Sequence, residues 1–255
     1  MILIDTHCHL YSEELLPDID AVIERATIEG VQKFYLPGID SSSIDAMLGL
    51  EIRFPERCFA MMGLHPCYVK ENYKQELDIV QNWLTKRKFS AVGEIGLDFY
   101  WDKTFATEQY EAFRIQMEWA IAYDRPIVIH TRNAMQETIN LVKEYVPKGI
   151  RGIFHCFSGS YESAQEIINA GFYLGIGGVL TYKNAGLAEV LQKIDLKHLV
   201  LETDAPYLTP VPFRGKRNES SYLKYVIDKL SAAKNVSIED VAAITTANAE
   251  KIFGI

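Results

Sequence analysis

The sequence predicts an α/β fold, a single (β/α)8 TIM-type barrel domain over residues 1–255. Short, nearly continuous apolar segments alternate eight times with longer amphipathic segments, the pattern of parallel strands joined by helices. A chain of 255 residues matches the roughly 250 residues of such a barrel. Histidines and carboxylates follow several of the predicted strands. Because barrel enzymes build their sites where the strands end, these residues are expected to meet at one end.

The predicted strands are apolar, as strands covered on both faces are. They cover Ile2–Ile4, Lys33–Leu36, Cys58–Met62, Ala91–Gly93, Ile127–Ile129, Gly152–Phe154, Phe172–Ile176 and His198–Leu201. Eight parallel strands with helices between them close into a barrel. Periodicity alone leaves a doubly wound open sheet as the structural alternative.

Each predicted strand is followed by a segment whose apolar residues recur at helical spacing. In the first of these, Ile19, Val22, Ile23 and Ala26 fall on one helix face. The predicted helices cover Asp18–Glu29, Ser41–Arg53, Gln75–Lys86, Glu108–Tyr123, Met135–Tyr145, Tyr161–Ala170, Leu187–Ile194, Ser221–Lys234 and Ile238–Phe253. The longest irregular stretch, residues 203–220, is the kind of long ordered loop that carries function.

Composition limits the classes of function. The net charge of −8 provides no bulk positive field, so a polyanionic substrate would be held by local cations or by metal. Cys8, Cys58, Cys67 and Cys156 form no CxxC pair, which favours reduced thiols in a cytosolic protein. The start of the sequence has no basic segment before Asp5, and no apolar run approaches the ~20 residues of a membrane span. We therefore expect a cytoplasmic protein with no membrane partner and no obligate protein partner.

The first candidate metal ligands follow the first and fourth strands. His7 and His9 are two residues apart, so in extended chain both imidazoles point the same way and can chelate one ion. An isolated pair of this kind is more often two polar residues at a strand end, but its place in a barrel favours ligands. Glu94 has two oxygens with which to bridge two metals, and Gly93 and Gly96 beside it favour a tight backbone near a ligand.

Further candidates follow the fifth, sixth and eighth strands. A lone histidine at the place of His130 or His155 is more often a hydrogen-bonded core residue, but two on adjacent strands favour metal. Asp204 suits a ligand that also orients the attacking water or accepts its proton, with a helix cap before Pro206 as the alternative. The predicted metal ligands are His7, His9, Glu94, His130, His155 and Asp204, and the predicted catalytic residues are Glu94 and Asp204. This mixed set suits two divalent ions, Mg or Mn, with Zn also compatible.

Residues around this set are candidates for substrate contact. Arg132, Lys183 and Arg214 are predicted to bind phosphate, although a short basic run is ordinarily a solvated loop. His65 and Asp98 are expected to orient ligands or substrate. Other candidates are aromatic: Tyr100, Trp101 and Phe157 either stack on bases or pack in the core. Two roles stay open for Glu202, contact with a further metal or a place inside the barrel.

An ordered set of motifs covers nearly the whole chain: DTHCHL, GLHP, GEIGLDFY, IHTR, HCFSG, GGVLTYKNA, ETDAPYLTP and PFRGKRNE. In this order they resemble the TatD family of metal-dependent deoxyribonucleases, in the amidohydrolase superfamily. The resemblance implies a TIM-type barrel and nuclease activity on DNA, commonly 3′→5′ exonuclease activity with Mg or Mn.

The resemblance also assigns residues. It implies that one metal is bound by His7, His9, Glu94 and Asp204, and the second by Glu94, His130 and His155. It further implies that His65 and Arg132 contact substrate. Tyr11 departs from the family pattern, because many relatives carry Asp after the HxHL motif. Phe213 and Ser220 also differ from many relatives, which puts the details of substrate contact in question.

Three functions follow from these residues. The first is a DNA phosphodiesterase, acting on single strands or 3′ ends, in which a metal-activated water oriented by Asp204 attacks phosphorus. The second is a hydrolase of small phosphate esters, amides or lactones on the same barrel. In many relatives of the wider superfamily a modified Lys bridges the metals, and Glu94 in that place favours the nuclease. The third is a metal-binding scaffold without catalysis, which the complete ligand set disfavours.

Overall fold

The protein, represented by a computed structural model that describes residues 1–254, is a ring of parallel strands surrounded by helices. The strands are β1 (Leu3–Asp5), β2 (Val31–Leu36), β3 (Cys58–Ala60), β4 (Val92–Asp98), β5 (Ile127–Arg132), β6 (Gly152–Phe154), β7 (Tyr173–Ile176) and β8 (Leu199–Leu201). The helices are α1 (Ile19–Ile28), α2 (Ile44–Arg53), α3 (Tyr73–Lys86), α4 (Ala106–Ala122), α5 (Met135–Lys143), α6 (Tyr161–Asn169), α7 (Leu187–Gln192), α8 (Leu223–Lys234) and α9 (Ile238–Phe253). Strand and helix alternate from β1 to α8, as the apolar pattern predicts.

The strands form a closed ring in sequence order. β1–β3 pair in parallel in one sheet and β4–β8 in a second. At the seam between β3 and β4, the Gly93 amide donates to the Met62 carbonyl at 3.0 Å. At the seam between β8 and β1, the Thr6 amide donates to the Leu201 carbonyl at 3.0 Å. Because hydrogen bonds cross both seams, the predicted barrel is confirmed and the open sheet is wrong.

Helix α9 covers the amino-terminal end of the barrel. An apolar cluster joins residues from most strands to the end of α9: Ile4, Tyr35, Met61, Ala91, Val128, Ile153, Val200, Ala249, Ile252 and Phe253. Residues from strands all around a ring contact one another only in its interior, so this cluster fills the barrel. The Phe253 ring stacks on Tyr35 with 3.7 Å between centroids. Asn248 donates to the carbonyls of Leu196 and Leu199, which places α9 at the start of β8.

Two strands, β4 and β5, extend three or more residues beyond their predicted carboxyl ends, and the difference matters for the site. β4 runs to Asp98 and β5 to Arg132, so Glu94 and His130 lie within strands and not after them. The glycine at position 96 makes this possible, because a Cβ there would lie 1.9 Å from the His130 carbonyl oxygen. A strand predicted from its apolar residues ends at the first polar residue, whereas the hydrogen bonds between parallel strands continue past that residue.

The remaining bounds agree with the prediction or differ from it by one to three residues. α2 begins at Ile44 and not at Ser41, since Asp40 caps a 3-10 turn over residues 41–43 with bonds to the amides of Ser42 and Ser43. α9 has the predicted bounds. Within residues 1–254, no helix combines the length and apolar character needed to cross a membrane. The four cysteines are free thiols.

Candidate metal centre

The residues predicted as metal ligands gather at the carboxyl end of the strands. Their ligand atoms form three overlapping groups, in each of which all atoms lie within 4.8 Å of one another. The groups are His7, His155 and Asp204; His7, His9 and Glu94; and His65, Glu94 and His130. The structure therefore brings together all six predicted ligands and adds His65, which the sequence placed at the substrate.

Glu94 is the centre of this cluster. It is 2% exposed, and its two oxygens face different histidines. Oε2 lies 3.1 Å from His7 Nε2 and 3.7 Å from His9 Nε2. Oε1 lies 2.8 Å from His130 Nδ1, 2.8 Å from His155 Nε2 and 3.3 Å from His65 Nε2. His65 follows β3. One carboxylate thus divides the cluster into two halves.

Backbone hydrogen bonds at the β8–β1 seam align one half. The Asp204 amide donates to the His7 carbonyl at 2.9 Å, and the His9 amide donates to the Ala205 carbonyl at 2.7 Å. Asp204 Oδ1 consequently lies 3.6 Å from His7 Nε2 and 3.4 Å from His9 Nε2. Asp204 has a φ of 55°, in the left-handed region that aspartate tolerates better than most residues. The HxH pair and the carboxylate are therefore positioned by the main chain.

Asp5 anchors the loop that carries Asp204. Its carboxylate accepts hydrogen bonds from the Thr203 amide at 2.9 Å, the Thr203 hydroxyl at 2.6 Å and the Ser220 hydroxyl at 2.7 Å. Burial raises the pKa of Asp5 to about 7, against the opposing effect of these donors. Thr203 and Ser220 lie at the two ends of the long irregular loop, so Asp5 holds both ends against β1.

Two hydrogen bonds set which nitrogen of an imidazole faces the cluster. The Tyr11 hydroxyl donates its single hydrogen to the Pro37 carbonyl, so it must accept from His9 Nδ1, 2.9 Å away. His9 Nε2 then has a free lone pair toward Glu94. His130 Nε2 lies 2.8 Å from Asp98 Oδ2, which only accepts, so His130 Nδ1 is the nitrogen left for a ligand bond. Such partners fix the orientation of metal-binding histidines.

Glu202 lies beside His155 inside the barrel. It is fully buried, and its Oε1 accepts a hydrogen bond from the Cys156 amide at 2.5 Å. The same oxygen is 3.5 Å from His155 Nδ1. A Cβ at Gly175 would lie 2.2 Å from Glu202 Oε2, so glycine leaves the space that this carboxylate occupies. The position inside the barrel, one of the two possibilities left open by the sequence, is therefore observed.

The charges in the cluster depend on one another. Burial opposes ionisation of Glu94, but the neighbouring imidazoles, His155 and His65 foremost, together outweigh burial and hold the pKa of Glu94 well below the usual value. Burial also opposes a charge on His155, but Glu94 and Glu202 together outweigh burial and raise the pKa of that imidazole well above the usual value. Burial and the stacked His155 ring, 3.9 Å away, lower the pKa of His7. The carboxylate is therefore ionised at neutral pH and can act as a ligand.

The donor set fits a divalent cation. Carboxylate oxygens and imidazole nitrogens converge, and these atoms suit Mg, Mn or Zn. Two thiols border the site, but burial raises the pKa of Cys67 to about 12 and that of Cys156 well above its usual value. Thiols that stay protonated are poor ligands. The side chains themselves do not choose among the three metals.

The cluster forms the floor of an open cleft of about 760 Å³. This volume lies within the ~300–1,000 Å³ range of small-molecule sites. His65 and Arg132, both predicted to contact substrate, line the cleft. The Arg132 guanidinium lies 3.8 Å from the centroid of the Tyr100 ring. A positive charge therefore stands at the mouth of a site built from carboxylates.

The other predicted phosphate contacts lie outside the cleft. Lys183 is exposed, and Arg214 is exposed with its guanidinium 4.3 Å from the centroid of the Tyr182 ring. Arg217, from the same basic run as Arg214, pairs with Asp18 through contacts of 2.7 and 2.9 Å. Arg214 and Arg217 thus have different surroundings, although they are only three positions apart in the sequence.

Sequence reasoning missed three residues of the site. Tyr11 holds His9, and the spacing of two residues in extended chain was the signal available for it. Tyr207 and Leu208 line the cleft beyond Asp204 and are 51% and 37% exposed. Their place directly after a predicted ligand was the corresponding signal.

Comparison with known proteins extends over the whole chain. The sequence matches the family described as TatD related DNase over residues 4–254. The uncharacterized metal-dependent hydrolase YabD of Bacillus subtilis (strain 168) is 40% identical over 254 residues, covering 99% of each chain. The 3′-5′ ssDNA/RNA exonuclease TatD of Citrobacter rodentium (strain ICC168) is 32% identical over 259 residues, covering 98% of this chain and 97% of the relative.

A solved structure shows the same similarity in three dimensions. The crystal structure of YjjV, a TatD homolog from Escherichia coli K12, matches with a TM-score of 0.93 at 28% identity. The match covers 99% of this chain and 98% of that chain. The likeness therefore includes the barrel and the strand ends that carry the cluster.

Proposed function

Since this chain belongs to the TatD family of metal-dependent hydrolases, we propose that it cleaves phosphodiester bonds in DNA as a 3′→5′ exodeoxyribonuclease. The observation that carries this proposal is the position of Glu94, whose two oxygens face two groups of histidines at the floor of an open cleft. A carboxylate between two ligand groups suits a two-metal site, the arrangement used for displacement at phosphorus. A relative named as a 3′-5′ exonuclease on single-stranded DNA and RNA supports the choice of substrate.

Two divalent ions, Mg or Mn with Zn as the alternative, would neutralise phosphate charge and make a bound water more acidic. His7, His9, Glu94 and Asp204 would hold one of them, and Glu94, His130 and His155 the other. His65, 3.3 Å from Glu94, either contacts the substrate or joins the second group.

The protein's own groups orient the reaction. Burial opposes ionisation of Asp204, but the neighbouring imidazoles of His9, His155 and His7 together outweigh burial and lower the pKa of this carboxyl. Asp204 is therefore ionised at neutral pH, and its carboxylate orients the attacking water and takes up its proton. Arg132 offsets the charge that develops on the phosphoryl oxygens. Lys183 and Arg214, outside the cleft, are proposed to bind phosphates of a longer strand.

The direct test is digestion of 3′- and 5′-end-labelled single-stranded DNA with Mg or Mn. We expect stepwise loss of nucleotides from the 3′ end by the wild-type protein, and loss of this activity in Asp204→Asn. Asp78→Asn, the same change on the exposed side of α3, is the matched control and should retain activity. Equal cleavage by Asp204→Asn and wild type would refute the assignment of Asp204.

The alternative substrate class is a small ester, amide or lactone, because a cleft of about 760 Å³ also accommodates such molecules. A panel that compares single-stranded DNA with small phosphate esters, lactones and amides separates the two functions. A kcat/KM for any of these small molecules well above that for DNA would replace the nuclease proposal.

A further inference from the structure

Large aromatic side chains are exposed at one side of the cleft. Trp101 lines the cleft with 69% of its surface exposed, and Tyr100 beside it is 51% exposed. The Arg132 guanidinium lies 3.8 Å from the Tyr100 centroid and 5.1 Å from the Trp101 centroid. Tryptophan is highly buried on average, so a ring left in water at the mouth of a polar cleft indicates a binding surface.

This aromatic surface is attached to the metal centre through one side chain. Asp98 Oδ1 accepts hydrogen bonds from the amides of Tyr100 at 2.9 Å and Trp101 at 3.3 Å. Its other oxygen, Oδ2, lies 2.8 Å from His130 Nε2. Asp98 is 1% exposed, so little space is left for it to move. The position of the Trp101 loop is therefore fixed relative to the imidazole beside Glu94.

The cleft also has aromatic and aliphatic surface beyond Asp204. Tyr207 and Leu208 line it, and the Tyr207 ring lies 5.8 Å from the ring of His9. The cleft thus combines apolar rims with a floor of ionised carboxylates and imidazoles. A ligand that matches both has a flat apolar face joined to an anionic linkage, as each nucleotide of a single strand has. In a duplex the base faces are covered by stacking on both sides.

We propose that Trp101, supported by Arg132 and Tyr100, forms a subsite for one unpaired nucleobase of a single strand next to the phosphodiester at Glu94. The inference rests on the proposed nuclease function and deepens it, because it names the feature by which the site selects unpaired strands. Stacking on an aromatic ring is tolerant of base identity, since every base has a π face. The adjacent guanidinium adds attraction for the ring and for phosphate.

The test uses trithymidylate and three derivatives, each with an abasic residue at one position. Loss of a stacked base is expected to raise the KM of the wild-type protein about tenfold for one derivative, with kcat within about twofold. Trp101→Ala should raise the KM for intact trithymidylate by the same factor and show no further effect of the missing base. A KM for Trp101→Ala that matches wild type on all four substrates overturns the subsite.

Two variants separate stacking from structure. Trp101→Phe keeps an aromatic face and should recover most of the KM that Trp101→Ala loses. Ile52→Ala removes another strongly exposed apolar side chain, 79% exposed on α2, and should leave KM unchanged. If Trp101→Phe behaves as Trp101→Ala, stacking is not the cause of the loss.

A binding measurement keeps the subsite testable if the wild-type protein does not cleave DNA. With EDTA present, dodecathymidylate should quench the emission of Trp101, and an abasic dodecamer should quench it at least about tenfold more weakly. Trp101→Phe should remove the quenched component, leaving the partly buried Trp83 and Trp119. Quenching without cleavage would retain the subsite and refute the nuclease proposal. Cleavage without quenching would do the reverse.

Discussion

The two ends of the barrel are filled by different types of side chain. At the amino-terminal end, α9 covers the barrel interior with apolar contacts such as the Phe253–Tyr35 stack, with 3.7 Å between ring centroids. At the carboxyl end, Glu94 lies among five imidazoles beneath an open cleft. Burying charge is costly unless it is paired, whereas burying rings is favourable. One end of the fold therefore supplies stability, and the other accepts a cost in stability to hold a site.

The two ends also differ in how they treat a buried tyrosine. The Tyr11 hydroxyl, near the site, contacts both His9 and the Pro37 carbonyl. The Tyr35 hydroxyl, near α9, is buried without a hydrogen-bond partner among the described residues. Tyr35 thus contributes its ring, and Tyr11 contributes its oxygen. Substitutions at the two ends should therefore affect different properties, activity at one end and stability at the other.

Glu94→Gln should separate activity from stability at the open end. Replacing one carboxylate oxygen with an amide removes charge that a metal site needs, and metal contributes several kcal/mol to such reactions. We expect a loss of at least about a thousandfold in kcat/KM on single-stranded DNA. Urea unfolding without metal should show some loss of stability at neutral pH, because the carboxylate that pairs with the charged His155 is removed, but the variant should remain folded. A variant that retains activity within tenfold contradicts the central role of Glu94.

Phe253→Ala should show the opposite behaviour at the closed end. Truncating a buried ring leaves a cavity, and the expected loss is about 3–5 kcal/mol in the free energy of unfolding. At temperatures where the protein stays folded, kcat should remain within about twofold of wild type. Ile244→Ala, on the more exposed face of the same helix, is the control and should cost much less. A large loss of kcat with an unchanged free energy of unfolding would mean that the packing of α9 affects the geometry of the cleft.

Tyr11→Phe and Tyr35→Phe form a matched pair that sharpens the comparison. Without the Tyr11 hydroxyl, the hydrogen of His9 is no longer held on Nδ1, and metal affinity should fall about 10–100-fold. Tyr35→Phe removes a hydroxyl that has no partner and should leave affinity unchanged. Isothermal titration with Mn measures both constants without turnover. Equal affinities in the two variants would mean that Tyr11 does not position His9.

The smallest effect is expected for an exposed ion pair beside the site loop. Hydrogen bonds from Arg217 and Arg25 lower the pKa of Asp18 to about 2. A lowered carboxylate pKa stabilises the fold above about pH 4, and this contribution is lost as pH falls through about 2. Asp18 is 39% exposed, so solvent screening limits its contribution to less than about 1 kcal/mol.

Asp18→Asn should accordingly lower the free energy of unfolding slightly at pH 7 and leave it equal to wild type near pH 2. Urea titrations at pH 7, 4 and 2 measure this difference, with the exposed Asp78→Asn as the control. A difference that persists at pH 2 would mean that Asp18 stabilises the fold through contacts other than its charge.

Much of the fold follows from local sequence pattern. The strands are buried on both faces and read as apolar runs, so their number and order could be predicted. His7, His9 and Asp204 could be placed together because they follow the first and last strands, which are neighbours once the ring closes. The open sheet could not be excluded from the sequence, since closure depends on hydrogen bonds between residues far apart, such as Thr6 and Leu201.

Features that depend on register and long-range contacts could not be read from the sequence. Glu94 lies within β4 because Gly96 lets β5 approach, and a polar residue in a strand resembles a strand end. Arg217 belongs to the same basic run as the candidate phosphate contact Arg214, but Asp18, 199 positions earlier, pairs with it. Trp101 has an exposed ring because Asp98 holds its loop over the cleft, and composition does not show exposure.

The central claim is that the side chains around Glu94 bind divalent metal. Anomalous scattering from crystals soaked in manganese tests it most directly. We expect manganese peaks within ligand distance of both Glu94 oxygens, one beside His7 and His9 and one beside His130 and His155. Peaks confined to surface carboxylates, with none at Glu94, would contradict it.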